Sequence, residues 1–124
     1  MSENQIKIRV ITAYLEEQSD AESARYAFSY TIAITNCGEE GVSLLSRYWL
    51  IIDANDERQE VHGEGVVGEQ PHIEPGETYQ YTSGTLLKTP LGIMQGSYQM
   101  VSDSGAYFDA PIDPFRLADP KSLH

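Results

Sequence analysis

Three glycines with the spacing Gly-x-Gly-x-x-Gly are the first residues here that could do chemistry. In dinucleotide-binding domains this spacing forms the turn between a strand and a helix, and amides at the helix N-terminus hold a pyrophosphate. Here the residues that follow are polar and lead into a turn and another strand pattern, so no helix is predicted. The candidate loop site comprises Gly63, Gly65, Gly68, Glu69, Gln70 and Pro71.

Glycine also permits positive φ and a close approach of two backbones, so we interpret these residues first as parts of a structured loop. Binding of a nucleotide, a pyrophosphate or another anion at the loop, with or without hydrolysis, is the alternative. A nest of backbone amides can hold a small anion without a helix.

The distribution of charge bears on that alternative. The chain carries 19 acidic and 8 basic residues, for a net charge of −11. Residues 59–87 contain no lysine or arginine, so a diphosphate would find no charge partner within the segment. An acidic surface also repels phosphate backbones, and nucleic acid is therefore excluded as a partner.

Two histidine–glutamate pairs, His62 with Glu64 and His72 with Glu74, have the spacing that places both side chains on one face of a strand. Together they could converge on a divalent cation. The alternative is scattered surface histidines, of which His124 is a third. Because no Cys or His cluster has the spacing of a structural zinc site, we predict no metal site and no cofactor.

Hydroxyl groups at Thr82, Ser83 and Thr85 are the remaining candidates for catalysis. No Gly-x-Ser-x-Gly elbow surrounds them, and nothing in the sequence places a histidine beside them. We interpret them as hydrogen-bonding groups near the end of a strand. The sequence assigns no catalytic residue.

The elements that must position these residues are strands. Residues 5–15 and 26–35 alternate apolar and polar side chains with period two, which is typical of half-buried strands. The charged residues 16–23 between them predict a solvated loop. Residues 42–52 are apolar almost throughout, which predicts a strand at the centre of its sheet, with Trp49 as a core anchor.

The second half of the chain continues in short strands. Residues 58–62 and 78–82 are predicted strands, with a type II turn at Pro75-Gly76 between them. Residues 84–96 predict a looser segment. A strand follows over 97–102, where Tyr98 has the place of a corner tyrosine. Residues 106–117 predict an edge or irregular strand, because Pro111 and Pro114 cannot donate ladder hydrogen bonds.

About seven short antiparallel strands and no amphipathic helix predict an all-β sandwich of the immunoglobulin or fibronectin type III kind, with one domain over residues 1–124. At 124 residues the chain can bury a core without disulfides or a structural metal, and its single cysteine, Cys37, fits a reducing compartment. No targeting segment or apolar run of membrane-spanning length is present, so we expect a cytoplasmic protein without a membrane partner.

Nearly the whole chain also resembles the ApaG family. The motifs that carry the resemblance are Gly63-Glu64-Gly65-Val66-Val67-Gly68-Glu69-Gln70-Pro71, Pro75-Gly76, Tyr81-Thr82-Ser83-Gly84 and Gly92-x-Met94-x-Gly96-x-Tyr98, with Tyr26-x-Phe28-x-Tyr30-x-Ile32, Arg47-x-Trp49 and Phe115-x-Leu117 on the flanks. The resemblance implies a fibronectin-III-like sandwich. It also implies a genomic position beside a dinucleoside-tetraphosphate hydrolase and a genetic link to cobalt and magnesium tolerance.

Related domains in eukaryotes lie within an F-box protein and a polymerase-interacting protein, where they resemble protein-binding modules. The family has no established catalytic residues, so none is transferred to this chain. We therefore predict a small non-enzymatic binding or regulatory protein whose partner is another protein of unknown identity. An exposed edge strand also offers a route to a homo-oligomer.

Overall fold

The computed structural model describes residues 5–122, which form an all-β sandwich. Its strands are β1 (Ile6–Tyr14), β2 (Tyr26–Asn36), β3 (Val42–Asp53), β4 (Arg58–Glu64), β5 (His72–Ile73), β6 (Thr78–Leu87), β7 (Leu91–Ser102) and β8 (Tyr107–Ala118). The predicted fold class is confirmed, with eight strands rather than about seven. The finer assignment to an immunoglobulin or fibronectin-III type stays a prediction.

The strands form two antiparallel sheets. The first has the order β1-β2-β6, and the second has the order β4-β3-β7-β8, with the short β5 pairing with β3 beside β4. The central position of β3, which its continuous hydrophobicity predicted, is confirmed. The connection that was predicted as a solvated loop is exposed and holds two single-turn 3-10 helices, Glu16–Gln18 and Ala21–Ser23.

Alternation along β2 shows how the sequence builds this layer. Phe28, Tyr30, Ile32 and Ile34 are buried between the sheets. The residues between them face outward, where the Thr31 hydroxyl lies 2.8 Å from that of Thr82 on β6. The period-two pattern of this strand therefore gives the face that the structure buries.

Trp49 lies at the centre of the core, as predicted, with 2% of its surface exposed. Its ring meets three aromatic rings edge-on. The centroid distances are 5.4 Å to Tyr30 of the opposite sheet, 5.8 Å to Phe115 and 6.4 Å to Tyr98. Such edge-to-face contacts add to the burial of apolar area and hold the two sheets together.

The prediction of a looser segment over residues 84–96 is wrong. β6 continues to Leu87 and β7 begins at Leu91, so all but a short connection of this segment is strand. The glycines that suggested a break allow close packing instead. A Cβ on Gly96 would lie 1.9 Å from the Tyr48 carbonyl oxygen on β3, so only glycine fits there.

The prediction for the last strand is confirmed, and the prediction for Tyr98 is wrong. β8 lies at the edge of its sheet and its pairing with β7 shifts register between Met94 and Gly96, as its prolines predicted. Tyr98 is not a corner tyrosine. It lies within β7, and its hydroxyl pairs with that of Tyr81 rather than with the backbone.

Among residues 5–122 no helix is long and apolar enough to cross a membrane.

The close contact at Gly96 leads to a stability prediction. We expect Gly96→Ala to lower the free energy of unfolding by about 2 kcal/mol or more, because the added methyl group must push β3 and β7 apart. Gly84→Ala is the control, since its Cβ would lie 3.2 Å from its nearest neighbour, the Phe28 carbonyl oxygen. Urea denaturation of both variants measures the difference, and equal losses would contradict the prediction.

Candidate functional site

The candidate loop is a tight reverse turn between β4 and β5. β4 runs through Glu64, so Gly63 belongs to the strand and the loop starts later than predicted. Val66 and Glu69 exchange two backbone hydrogen bonds of 2.8 and 2.9 Å. Val67 and Gly68 between them have φ angles of 41° and 82°. Two successive positive φ angles closed by this bonding pattern define a type I′ turn.

Each of the three glycines has its own structural reason. Gly63 lies directly opposite Arg47 in the β3–β4 pairing, and a Cβ there would lie 2.6 Å from Nη1 of Arg47. Gly65 has a φ of 62° and a Cβ on it would lie 2.1 Å from the Glu69 carbonyl oxygen. Gly68 supplies the second positive φ of the turn. The Gly-x-Gly-x-x-Gly spacing therefore reflects a tight turn at Gly65 and Gly68 and the space that the Arg47 side chain occupies beside Gly63.

Four hydrogen bonds with the neighbouring strand β3 hold the start and end of the turn. The Gly65 amide donates to the Leu45 carbonyl at 2.7 Å, and the Gln70 side-chain amide donates to the same carbonyl at 2.9 Å. Arg47 Nη1 donates to the Gly65 carbonyl at 2.9 Å and to the Glu64 carbonyl at 3.2 Å. The loop is therefore fixed to the sheet at both ends.

The remaining loop residues are also held. The Tyr79 hydroxyl donates to the Glu69 carboxylate at 2.9 Å, and the Pro71 carbonyl accepts from the Leu44 amide at 3.0 Å. All six predicted loop residues thus belong to one braced segment. No helix follows Gly68, and the amides of Gly65, Val66 and Glu69 donate to backbone carbonyls. These amides are consequently not free to form a phosphate cradle.

Beneath the turn, a cleft of about 260 Å³ opens between the two sheets. The turn residues Val66–Gly68 and the exposed Glu64 form its rim. Arg47 of β3 lies in its wall, and Tyr30, Trp49 and Tyr81 supply aromatic surface from both sheets. Ser83 of β6 also lines it. This cleft, rather than the backbone of the glycines, is the concave surface that the loop creates.

Two buried tyrosines meet beside this cleft, and one of them, Tyr81, lines it. The hydroxyl oxygens of Tyr81 and Tyr98 are 2.5 Å apart. Burial raises the pKa of Tyr81 and of Tyr98 well above the usual 10, and each hydroxyl keeps its proton at neutral pH. The pair therefore offers hydroxyl hydrogen-bonding groups and no negative charge.

A positive charge does lie beside the loop, because the Arg47 side chain reaches it from the neighbouring strand. Residues 59–87 contain no basic residue, but Arg47 reaches the loop from β3 and lines the cleft. Its charge lowers the pKa of both Tyr81 and Tyr98, against the effect of burial. The available signal was the spacing Arg47-x-Trp49, because residues two apart in a strand share a face and Trp49 faces the core.

The two histidine–glutamate pairs do not converge. The His62 ring packs on Tyr48 at a centroid distance of 4.9 Å. His72 instead lies beside Asp103, with 2.8 Å from Nε2 to the carboxylate, and Glu74 has a carboxylate oxygen within 4.8 Å of both. These three side chains are exposed. His124 lies outside the described residues.

The three hydroxyl residues do not face one common site. All three lie within β6, where Thr82 faces outward to Thr31 and Ser83 faces the cleft. No histidine is among the described residues that line the cleft, so Ser83 has no general base of the histidine type beside it.

Known proteins are similar to this chain over nearly its whole length. The family model described as ApaG domain matches residues 16–102. Protein ApaG of Shewanella sediminis is 59% identical over 122 residues, which cover 98% of this chain and 97% of that protein. The chain belongs to the ApaG family.

Two solved structures of similar sequence have the same fold. One, a Northeast Structural Genomics Consortium target, is 56% identical with a TM-score of 0.94, and the match covers 98% of this chain and 92% of that one. The other, a Bordetella pertussis protein solved under the name ApaA, is 46% identical with a TM-score of 0.91 and 94% coverage of both chains. The resemblance to the ApaG family that the loop motifs indicated is confirmed.

The contact of His72 with Asp103 predicts a dependence of stability on pH. The hydrogen bond to Asp103 raises the pKa of His72 above 6.5, aided by the charges of Asp103, Glu74 and Glu77. The charged pair therefore stabilises the fold below about pH 6.5, and this contribution is lost as the pH rises through the higher pKa of the folded state.

Asp103→Asn should thus lower the melting temperature more at pH 5.5 than at pH 8.5. Asp109→Asn, an exposed aspartate on β8, controls for the loss of one negative charge. Thermal melts of the wild type and both variants at the two pH values provide the measurement. A loss that is the same at both pH values would contradict the prediction.

Proposed function

We propose that this ApaG-family domain is a non-enzymatic protein-binding module that docks through the tip of the turn between β4 and β5. The observation that carries the proposal is Val67. Its φ is 41°, and 56% of its surface is exposed. A β-branched residue rarely adopts a positive φ, and such strain is found mainly at binding and active sites.

The turn has the features of a docking element. Its ends are hydrogen-bonded to β3, so little conformational entropy is lost when a partner binds. An apolar side chain stands at its tip, and the exposed carboxylates of Glu64 and Glu69 flank it. A partner that fits would offer a small apolar pocket with a basic rim.

The associations that the family resemblance implies fit this role. Links to cobalt and magnesium tolerance and to dinucleoside-tetraphosphate metabolism require neither an enzyme nor a resident ion, because a regulatory module acts through its partner. A cytoplasmic site of action follows from the same associations. The lack of a histidine among the described cleft residues supports a role in binding rather than in hydrolysis.

Val67→Asn tests the proposal by separating stability from binding. Asparagine adopts positive φ more readily than valine, so we expect the variant to be more stable by up to about 1 kcal/mol. The same change removes the apolar tip and should reduce recovery of the partner at least tenfold. Urea denaturation measures the first effect, and quantitative affinity capture from bacterial extract, with identification of the bound proteins, measures the second.

Ala24→Asn is the matched control. Ala24 also has a positive φ, of 53°, but it follows the 3-10 helix Ala21–Ser23, on a different loop. This variant should gain stability and retain the partner. If Val67→Asn captures the same proteins in the same amounts as wild type, the turn is not the docking element and the proposal fails.

The exposed cluster of His72, Glu74 and Asp103 has donor atoms that suit a divalent cation. Because Asp103 raises the pKa of His72, a proton competes with any metal for the ring nitrogen. We therefore expect equilibrium dialysis at micromolar Co²⁺ or Mg²⁺ to show no stoichiometric retention, with no difference between wild type and His72→Ala. Retention that depends on His72 would instead assign a metal-binding role to the cluster.

A further inference from the structure

Trp49 has an unsatisfied polar atom at the centre of the core. The only buried side-chain nitrogen or oxygen without a hydrogen-bond partner in residues 5–122 is its indole Nε1. The Trp49 side chain lines the cleft beneath the turn. A buried N–H without an acceptor costs free energy, and its persistence calls for an explanation.

The tyrosine pair leaves a second donor at the same place. Tyr81 and Tyr98 each carry one hydroxyl proton, and only one of the two protons can lie between their oxygens. When Tyr98 donates to Tyr81, the Tyr81 hydroxyl proton is free to be donated to a group in the cleft, which Tyr81 lines. Burial keeps both hydroxyls protonated, so this donor is present throughout the neutral range.

Arg47 adds a positive charge without a counter-ion. In a chain of net charge −11, no carboxylate of the described residues lies within 4.0 Å of its guanidinium nitrogens. Its Nη1 donates to two backbone carbonyls, which leaves other N–H groups of the fork available. The cleft is therefore lined by an arginine without a carboxylate partner among the described residues and by the Tyr81 hydroxyl.

We propose that this cleft binds a small oxyanion, a carboxylate or a phosphoryl group, through the side chains of Arg47 and Tyr81, beside the Trp49 ring. An oxyanion supplies acceptors to the unused donors and a negative charge to the guanidinium fork. The cleft of about 260 Å³ is smaller than the usual pocket for a drug-sized ligand, so it suits a small molecule or the end group of a larger one.

This site differs from the phosphate cradle that the glycine spacing suggested. Side chains of β3 and β6 hold the anion, whereas the loop amides of Gly65, Val66 and Glu69 are already used. It also differs from the docking surface, because the anion is held by side chains inside the cleft, whereas the turn residues Val66–Gly68 form only the cleft rim. Glu64 on the rim is the one carboxylate that lines the cleft, and it opposes an anion.

The single tryptophan makes the proposal directly measurable, since the chain has one indole N–H resonance. The full-length ¹⁵N-labelled protein is titrated separately with inorganic phosphate, pyrophosphate and citrate, with sodium chloride at matched ionic strength as the reference. We expect a saturable shift of the indole resonance with at least one oxyanion. Phosphate or pyrophosphate alone would assign a phosphoryl ligand, and citrate alone a carboxylate.

Three variants, at Glu64, Arg47 and Tyr81, test the binding groups, and a fourth at Glu39 is the control. Glu64→Gln removes the opposing charge from an exposed position and should lower the Kd roughly threefold, whereas Glu39→Gln, exposed on another loop, should leave it unchanged. Arg47→Gln and Tyr81→Phe should each raise the Kd about tenfold or more. The melting temperature of each variant shows whether it remains folded.

The proposal is overturned if no oxyanion moves the indole resonance beyond the effect of sodium chloride. It is also overturned if folded Tyr81→Phe and Arg47→Gln both bind as the wild type does, or if Glu64→Gln and Glu39→Gln change the Kd equally. The capture experiment tests the docking proposal and the indole titration of the wild-type protein tests this one, so failure of either proposal gives a different result.

Discussion

The packing of Trp49 between the two sheets is the interaction on which the rest of this structure depends. Its ring meets Tyr30 of the first sheet and Tyr98 and Phe115 of the second, and it is almost fully buried. Trp49 pairs with Gly96 in the β3–β7 ladder, and Gly96 lets β7 lie where a Cβ would meet the Tyr48 carbonyl oxygen. The aromatic centre therefore fills the space between the layers and joins them.

The functional surface follows from that centre. Arg47 lies two residues before Trp49 on the same inward face of β3, so the register of the sheet brings a guanidinium group to the interface between the layers. There it holds the carbonyls of Glu64 and Gly65 and fixes the turn. The Arg47 side chain thus connects the core to the loop. It holds the turn in place by hydrogen bonds and also forms part of the wall of the cleft beneath it.

The sequence predicted the parts of the fold that repeat with period two. β2 was correct because its apolar residues alternate without interruption, and the central place of β3 followed from its continuous hydrophobicity. The ends of β6 and the start of β7 were missed. Gly84, Gly92 and Gly96 suggested breaks, whereas each of them lies in a strand. Local propensity disfavours glycine in strands, and only the neighbouring strand explains its presence.

The sequence by itself determined the family, the all-β class, the burial of Trp49 and the ordered loop around Gly63, Gly65 and Gly68. These features depend on local pattern and motif, which are present in the order of the residues. Only the tertiary structure decided that Arg47 lies across Gly63, that Tyr81 meets Tyr98 and that the buried Trp49 N–H has no acceptor among the described residues. Each of these facts joins residues from different strands. Their proximity is set by sheet register and by the packing of one layer on the other, which no local pattern specifies.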